Sequence, residues 1–468
     1  MIQKLFKSKK RIFIACLASL AIIVIIVAVI FAVKKPTSIS DLKEELHTDN
    51  GLLRGSNGNG AYYLNTNETG IFYLDNNLMR YIDYKTKENY VLCSRADCKH
   101  NDENCGAYLA NAFGFCAIED QLFAWVENPE NNTADLLRMD MDGENRSVLT
   151  SVSMGGHEVG EYELSQFNLS DIYYGFGKAY AVLTYYQVKP ATSISMNGPC
   201  KRQVVTVDLA TGKQSILFEQ EGVDLFFILK IQAISPENIV FTVNEVSDGK
   251  DLDAFNEADN HELQEKYSDY DSYYNDVITK MNFIAYDYNF EDCSLDQFFD
   301  SPCTTHYTNG NPDTWYDPFF CLGWYENTLL ACFETNDGNN TKSITLQQYN
   351  LASDSWNSIA TIENSAIIMR SFGTVGNYIL DDSKIFYMHY DAEPETTGYV
   401  CYYDLETHQT KELYEDAWNV TFRFSDEYQD YFVGDMMVND KHGVYLIRKE
   451  DYYSGNLDQA ELLLTINE

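Results

Sequence analysis

The sequence predicts an all-β protein: a β-propeller of about seven four-stranded blades, preceded by one N-terminal transmembrane helix. Three observations support this prediction: one long apolar run near the N-terminus, a strand–turn–strand pattern that recurs through the rest of the chain, and an aromatic-rich composition. With 35 Tyr and 26 Phe in 468 residues, the chain is too apolar for disorder and favours aromatic strands.

The apolar run covers residues 12–33 and contains no charged residue. At about 1.5 Å of rise per residue, it is long enough to cross a hydrocarbon core of about 30 Å. Basic residues are concentrated before the run, in residues 1–11, and only Lys34 and Lys35 follow it closely. The larger positive cluster is expected to stay in the cytoplasm, which predicts that the large domain is extracellular.

Two cleavable signals are the alternatives to an uncleaved signal-anchor. A secretory signal peptide has a shorter apolar core and a small-residue cleavage site. A lipoprotein signal would place its cysteine after the core, whereas Cys16 lies near the start of this one. We therefore expect a single-pass protein of the cell membrane with four parts: a cytoplasmic tail (1–11), the helix (12–33), a tether (34–56) and an extracytoplasmic propeller (57–468).

The charge of the large domain excludes some partners. The formal net charge is −38, and residues 1–35 contain seven basic and no acidic residues, which leaves −45 for residues 36–468. So acidic a surface repels nucleic acid and anionic lipid, and no nucleic-acid partner is expected. Ten cysteines outside the apolar run are too few and too unevenly spaced to hold so large a domain together by disulfides.

Six segments share one pattern, in which an aromatic or β-branched strand ends in Asp or Asn and a polar turn follows. These marker residues are Asp83, Asp140, Asp208, Asp287, Asn350 and Asp404. Such a side chain bonds to backbone amides of the turn. The markers recur at intervals of 54 to 79 residues, and another strand pair lies upstream of most of them. Each unit therefore holds about four antiparallel strands, the content of a propeller blade.

Two segments depart from this repeat. The last unit has three clear strands (431–438, 442–448 and 461–466) and no marker, so we expect the segment before Ala61 to supply its closing strand and latch the ring. Residues 247–280 contain ten acidic residues and a tyrosine cluster. We interpret them as a solvated insertion in the fourth blade, partly helical around residues 254–267, with a functional loop as the alternative.

The turns at residues 138–145 and 207–213 resemble those of TolB-like and WD40-like propellers. The segment Leu-Cys-Ser-Arg-Ala-Asp-Cys-Lys-His at residues 92–100, with Cys105 beyond it, is similar to one in uncharacterised membrane-anchored β-propeller proteins of anaerobic Gram-positive bacteria. The resemblance covers most of residues 57–468. It implies a surface-exposed propeller and brings no activity or catalytic residue with it.

Cys93, Cys98, His100 and Cys105 lie within 13 positions in the order Cys-x4-Cys-x-His-x4-Cys. Three thiolates and an imidazole are a known structural zinc set, although the spacing is tighter than in common zinc modules. Exported cysteines form disulfides in an oxidising setting, so a disulfide is the favoured interpretation, with structural zinc and free thiols as alternatives. In every case we expect the segment to pin the crossing between the first two blades. Four protein ligands would leave no open position for catalysis.

Catalytic motifs are missing from the sequence. It has no Gly-x-Ser-x-Gly elbow, no phosphate-cradling glycine loop and no His-Glu-x-x-His helix, so no catalytic residue and no cofactor beyond the zinc is assigned. The aromatic loop at residues 315–318 could stack on a sugar, although blade packing is the favoured interpretation. The sequence predicts a binding or scaffolding module for a protein, peptide or glycan, with a propeller-type hydrolase of glycans or peptides as the alternative. A sensor module, whose short cytoplasmic tail pairs with another membrane protein, is a further alternative.

Overall fold

A computed structural model describes fifteen stretches of the chain: 53–54, 64–66, 69–118, 120–154, 158–159, 162–187, 199–223, 228–246, 265–308, 311–336, 342–368, 378–390, 398–416, 422–438 and 441–466. The apolar run at residues 12–33 lies outside these stretches, and within them no helix is long and apolar enough to cross a membrane. The described residues form seven antiparallel sheets that are each built on four main strands, together with one two-stranded sheet. The predicted seven-bladed all-β propeller is therefore confirmed.

Each of the first four blades is a meander of four strands in chain order. Blade 1 consists of Asn65–Thr66, Gly70–Asp75, Leu78–Asp83 and Asn89–Val91. Blade 2 consists of Ala112–Ile118, Gln121–Asn128, Thr133–Asp140 and Ser147–Ser153. Blade 3 consists of Tyr162–Gly175, Lys178–Gln187, Pro199–Asp208 and Gln214–Val223, with Glu158–Val159 beside it. Blade 4 consists of Ile228–Ile234, Asn238–Val246, Met281–Asn289 and Leu295–Pro302.

The last three blades repeat this order. Blade 5 consists of Phe319–Tyr325, Thr328–Asn336, Lys342–Asn350 and Ser355–Glu363. Blade 6 consists of Ser365–Ile367 with Ile379–Leu380, then Lys384–Tyr390, Gly398–Asp404 and Gln409–Asp416. Blade 7 consists of Arg423–Tyr428, Tyr431–Val438, Lys441–Arg448 and Glu461–Thr465. A two-stranded hairpin, Thr304–Thr308 with Asn311–Tyr316, lies between blades 4 and 5.

The first strands of the blades lie toward the ring axis and contact one another. The first strand of blade 2 contacts the first strands of blades 1 and 3, and the first strand of blade 4 contacts that of blade 5. The fourth strands are the exposed edges, and in blade 4 the strand Leu295–Pro302 has no buried residue. This gradient of burial agrees with sheets arranged radially around a central channel.

Seven hydrophobic clusters, one at each junction between neighbouring blades, form the core. The cluster between blades 7 and 1 includes Ile71 and Tyr84 from one side and Val433 and Ile466 from the other. The described blades 7 and 1 therefore close the ring by side-chain packing.

The marker residues lie where each blade turns from its third to its fourth strand. Five of the six are the last residue of the third strand, and Asp208 Oδ1 accepts from the Thr211 amide at 2.7 Å. Asp287 is the exception, because its strand continues to Asn289, and its carboxylate is buried and accepts from Asn238 Nδ2 at 2.7 Å. Asn289, two residues later, caps that turn by accepting from the Glu291 amide at 2.8 Å.

In blade 7 a short helix (Lys449–Tyr453) and the 3-10 turn Leu457–Gln459 replace the marker turn. The predicted latch is wrong, because Arg423–Tyr428 supplies the missing strand and pairs with Tyr431–Val438 through a two-residue turn. The segment before Ala61 contributes Leu53–Arg54 to blade 3, where Leu53 pairs with Tyr174. A strand that is local in sequence needs no long loop closure, which favours it over one from the distant N-terminus.

The described end of the acidic insertion is docked on the ring. Glu265 and Lys266, at the described end of the helix expected at 254–267, are helical, and residues 254–264 lie outside the described stretches. A further helix, α1 (Tyr270–Ile278), begins after the cap Asp269. Tyr273, Val277 and Ile278 are buried in the cluster between blades 4 and 5. This part of the insertion therefore contributes to the core, and its interpretation as a purely solvated stretch was wrong.

The fourth strands of blades 2 to 7 each contain a one-residue bulge, and the extra residue is apolar every time: Leu149, Leu217, Phe298, Ile359, Leu413 and Leu463. Each of these side chains packs, half-buried, on the cluster beneath its blade. A bulge twists an edge strand and discourages pairing with another chain.

Candidate metal centre

Residues 92–109, here called the cysteine segment, connect blade 1 to blade 2 without a regular strand or helix. Both ends are held by backbone hydrogen bonds on the third strand of blade 1 and the turn before it. Leu92 N–H donates to Met79 O at 3.0 Å, and Met79 N–H donates to Ala107 O at 2.9 Å. Leu109 N–H donates to Asn77 O at 2.7 Å. The ends are thus fixed, and the middle of the segment depends on side-chain contacts.

The structure brings all four candidate ligands together in the middle of the segment. The Sγ atoms of Cys93, Cys98 and Cys105 and a ring nitrogen of His100 lie within 4.8 Å of one another. His100 Nδ1 is 3.4 Å from Cys105 Sγ. Cys93 and Cys105 are buried, whereas Cys98 and His100 are half-buried.

These distances suit a tetrahedral zinc ion. Bond lengths of about 2.3 Å to sulfur and about 2.0 Å to nitrogen give ligand–ligand edges of about 3.6 to 3.8 Å. The donor set of three thiolates and one imidazole is also one that zinc prefers. The four residues therefore fit this metal both in chemistry and in spacing.

The backbone explains how Cys98 and His100, only two positions apart, face one point. His100 has a φ of 53°, in the left-handed region, which turns the chain sharply. Its own amide donates to Cys98 Sγ at 3.4 Å. That hydrogen bond lowers the pKa of the Cys98 thiol, whereas burial raises the pKa of Cys105 to about 12. A bound cation would favour the thiolate form of both.

Two arginines tie the cysteine segment to the turn between the third and fourth strands of blade 2. Arg95 interacts electrostatically with all three sulfurs, and its Nε lies 3.0 Å from Glu144 Oε1. Arg146 Nη2 donates to Gly106 O at 2.6 Å and to Tyr108 O at 2.8 Å. Its Nε donates to Gly143 O at 3.0 Å. Arg146 could not be linked to the cysteines from the sequence, because it lies 40 residues from Gly106 along the chain.

The backbones of Gly106 and Gly143 meet at this contact. A Cβ at Gly143 would lie 1.9 Å from Gly106 O, and Gly143 also has a φ of 75°. A Cβ at Gly106 would lie 2.9 Å from Asp142 O. Only glycine fits such an approach, so the blade 2 turn holds the cysteine segment in one position.

A second polar cluster lies in blade 7 and was not found from the sequence, because its members come from three strands. Asp435 is fully buried, and its Oδ2 accepts from Arg423 Nη2 at 2.5 Å. His442 Nε2 lies 2.9 Å from the same oxygen. Asp435 Oδ1 has no hydrogen-bond partner among the described residues.

The aromatic loop at residues 315–318 is partly on the surface. Tyr316 is 55% exposed, which does not agree with the expected packing into a blade. Asp317 accepts from Asn244 Nδ2 at 2.7 Å. The side chain of Trp315 lies outside what the structure describes.

No protein-family model and no curated protein matches the sequence. Among solved structures, the chain is similar to an oligogalacturonate lyase in complex with manganese, at 10% identity over 86% of this chain and 91% of that chain, with a TM-score of 0.42. It is also similar to an oligogalacturonate lyase from Vibrio parahaemolyticus, at 12% identity, 87% and 93% coverage and a TM-score of 0.42. TolB from Acinetobacter baumannii follows, at 12% identity, 83% and 76% coverage and a TM-score of 0.32. Likenesses with TM-scores this low carry no argument about this chain.

Proposed function

We propose that this chain is a membrane-tethered, extracytoplasmic propeller that binds or scaffolds a protein, peptide or glycan. One observation carries the preference for binding over turnover: each buried carboxylate of the described residues is hydrogen-bonded to a residue of its own blade. These carboxylates belong to Asp83, Asp135, Asp142, Asp287 and Asp435. Hydrolysis by a carboxylate pair needs two such groups that converge on one substrate.

The expected tether joins the propeller close to the ring axis. Leu53–Arg54, which belongs to the expected tether, pairs with the first strand of blade 3 and contacts the first strands of blades 1 and 2. A chain that leaves the centre of the ring toward the membrane would turn the opposite face of the propeller outward.

The proposed topology is tested with protease added to intact cells, which should remove the large domain and spare the N-terminal tail. Protection of the domain in intact but not in lysed cells would contradict this topology.

Binding is tested with the purified full-length chain in detergent, presented with arrays of synthetic peptides and glycans. We expect saturable retention of a subset of probes, each recovered unchanged. Cleavage of a retained probe that disappears with a single Asp or Glu substitution would contradict the proposal and favour a hydrolase.

The Asp435 cluster is the observation that favours the hydrolase as a second candidate. A buried carboxylate beside His442, with one oxygen unpartnered among the described residues, is an arrangement suited to proton transfer. If this candidate is correct, Asp435→Asn abolishes turnover of a glycan or peptide. Asp135→Asn is the matched control, because Asp135 is also buried and both of its oxygens are hydrogen-bonded, Oδ1 to Thr133 and Oδ2 to Asn128.

A further inference from the structure

We propose that Cys93, Cys98, His100 and Cys105 bind one zinc ion in tetrahedral geometry, and that this ion cross-links the connection between blades 1 and 2. The inference does not depend on the proposed binding function.

The convergence of four donors favours a metal over a disulfide. A disulfide joins two sulfurs at about 2 Å and makes no use of an imidazole. It would leave the third cysteine and His100 in contact with the bridge and without a role. A zinc ion uses all four, and the 3.4 Å between His100 Nδ1 and Cys105 Sγ is close to a tetrahedral edge.

The surroundings of the four ligands are those of a metal–thiolate centre. The amides of His100 and Ala107 bond to the sulfurs of Cys98 and Cys105. Three thiolates and a divalent cation leave one net negative charge, which the guanidinium of Arg95 is placed to offset. Glu144 in turn orients Arg95. Such outer contacts fix ligand orientation and tune metal affinity.

Blade 1 is the blade that a metal cross-link would stabilise most. Among the described residues, its first strand has 2 residues and its fourth has 3, so the described hydrogen-bond ladder at these edges is short. The cysteine segment follows directly and packs against blade 2 through Gly106 and Arg146. On its other side, blade 1 meets blade 7 through side-chain packing. A metal ion that holds the middle of the cysteine segment would therefore stabilise both the segment and the junction between blades 1 and 2.

The first test is elemental analysis of the full-length chain, purified without chelator. We expect about one zinc per chain, and its loss in Cys98→Ser. Cys293→Ser is the matched control, because Cys293 is an exposed free cysteine in a turn of blade 4 and should leave the zinc content unchanged. Cys98→His, which keeps a ligand at this position, should retain metal.

Cobalt substitution reports on the geometry. Cobalt(II) exchanged into the wild-type chain should give the strong visible absorption of a tetrahedral thiolate site, and Cys98→Ser should not. If Cys98→Ser fails to fold, the wild-type chain is measured before and after a chelator removes its zinc. We expect its melting temperature to fall on removal of zinc and to recover when zinc is restored. A chain that binds neither metal, with two of the three cysteines resistant to thiol reagents until reduction, would overturn the zinc site. An unchanged melting temperature after complete zinc removal would overturn the cross-link.

Discussion

At the scale of single residues, Asp381 joins blade 6 to blade 7. It lies in the turn before Lys384–Tyr390, where its Oδ1 accepts from Lys449 Nζ at 3.0 Å. Its Oδ2 accepts from Tyr453 Oη at 2.7 Å and lies 3.0 Å from Lys384 Nζ. Burial alone would raise the pKa of Asp381, but the hydrogen bonds from Tyr453, Lys449 and Lys384 outweigh it and lower the pKa to about 2.

We expect Asp381→Asn to lower the free energy of unfolding at neutral pH by about 1–2 kcal/mol, after allowance for partial exposure. Because the folded pKa is depressed, this stabilisation is present above the ordinary value of 3.8 and is lost as the pH falls toward about 2. Denaturant titrations between these pH values should therefore show a flatter pH dependence in Asp381→Asn. Asp382→Asn, at the exposed neighbouring position, is the control, and identical profiles for the two variants would contradict the assignment.

Alanine substitutions at Gly143 and Gly177 distinguish the cost of backbone strain from the cost of a steric clash. Both have positive φ, 75° and 72°, but a Cβ at Gly177 would meet nothing within 4 Å. We expect Gly177→Ala to cost about 1 kcal/mol from the left-handed conformation alone. Gly143→Ala should cost about 2–4 kcal/mol, because the added methyl also meets the backbone of Gly106. Thermal denaturation of both variants measures the difference, and equal losses would mean that the contact with the cysteine segment is loose.

At the scale of elements, the fourth strands and α1 show how local segments fit the ring. A bulge in each fourth strand of blades 2 to 7 turns an exposed edge while keeping one apolar side chain on the core. Helix α1 anchors the described end of the acidic insertion in a similar way. Its buried residues pack on the core, whereas Asp271 is exposed to solvent. In both cases a short segment with an exposed polar side is retained by a few buried apolar contacts.

We expect Tyr273→Ala to detach α1 from blades 4 and 5. Tyr273 is 4% exposed and packs edge-on against Tyr267, so its truncation should cost about 3 kcal/mol. Limited proteolysis should then cut the variant first within residues 265–280. Asp271→Ala, on the exposed side of the same helix, should leave the cleavage pattern unchanged. Early cleavage in both variants, or in neither, would argue against docking through Tyr273.

At the scale of the whole molecule, ring closure depends on the packing of blade 7 on blade 1. Ile466 follows the last strand and is buried in this cluster, whereas Leu462 in the strand itself is 42% exposed. The ion pair between Lys87 and Glu461 spans the same junction, but it is exposed, and such pairs contribute little. Apolar burial is therefore the main term that holds the two ends of the ring together.

Ile466→Ala should lower the free energy of unfolding of the whole ring by about 2–4 kcal/mol. Leu462→Ala should cost less than about 1 kcal/mol, because its side chain stays largely in water. Guanidinium unfolding followed by both circular dichroism and tryptophan fluorescence measures the two effects. Transitions in Ile466→Ala that separate between the probes would mean that blade 7 unfolds alone and that closure does not couple the ring.

The sequence by itself determined the features that depend on neighbours along the chain. Asp208 caps the turn that follows it because its partner, the Thr211 amide, is three residues away. Cys93, Cys98, His100 and Cys105 could be grouped as one candidate metal site because they lie within 13 positions of one another. Repeated turns of this kind were enough to predict a seven-bladed propeller, since each blade is a meander of adjacent strands.

Only the tertiary structure decided the contacts between residues far apart in the chain. Leu53–Arg54 pairs with blade 3 and not with blade 7, and Asp287 looks like a turn residue but is buried against Asn238. Arg146 reaches Gly106 across 40 residues. The alternation of apolar and polar residues determines which face of a strand is buried, but not which neighbouring strand or blade covers that face. That choice depends on the summed packing of neighbouring blades, which no local pattern encodes.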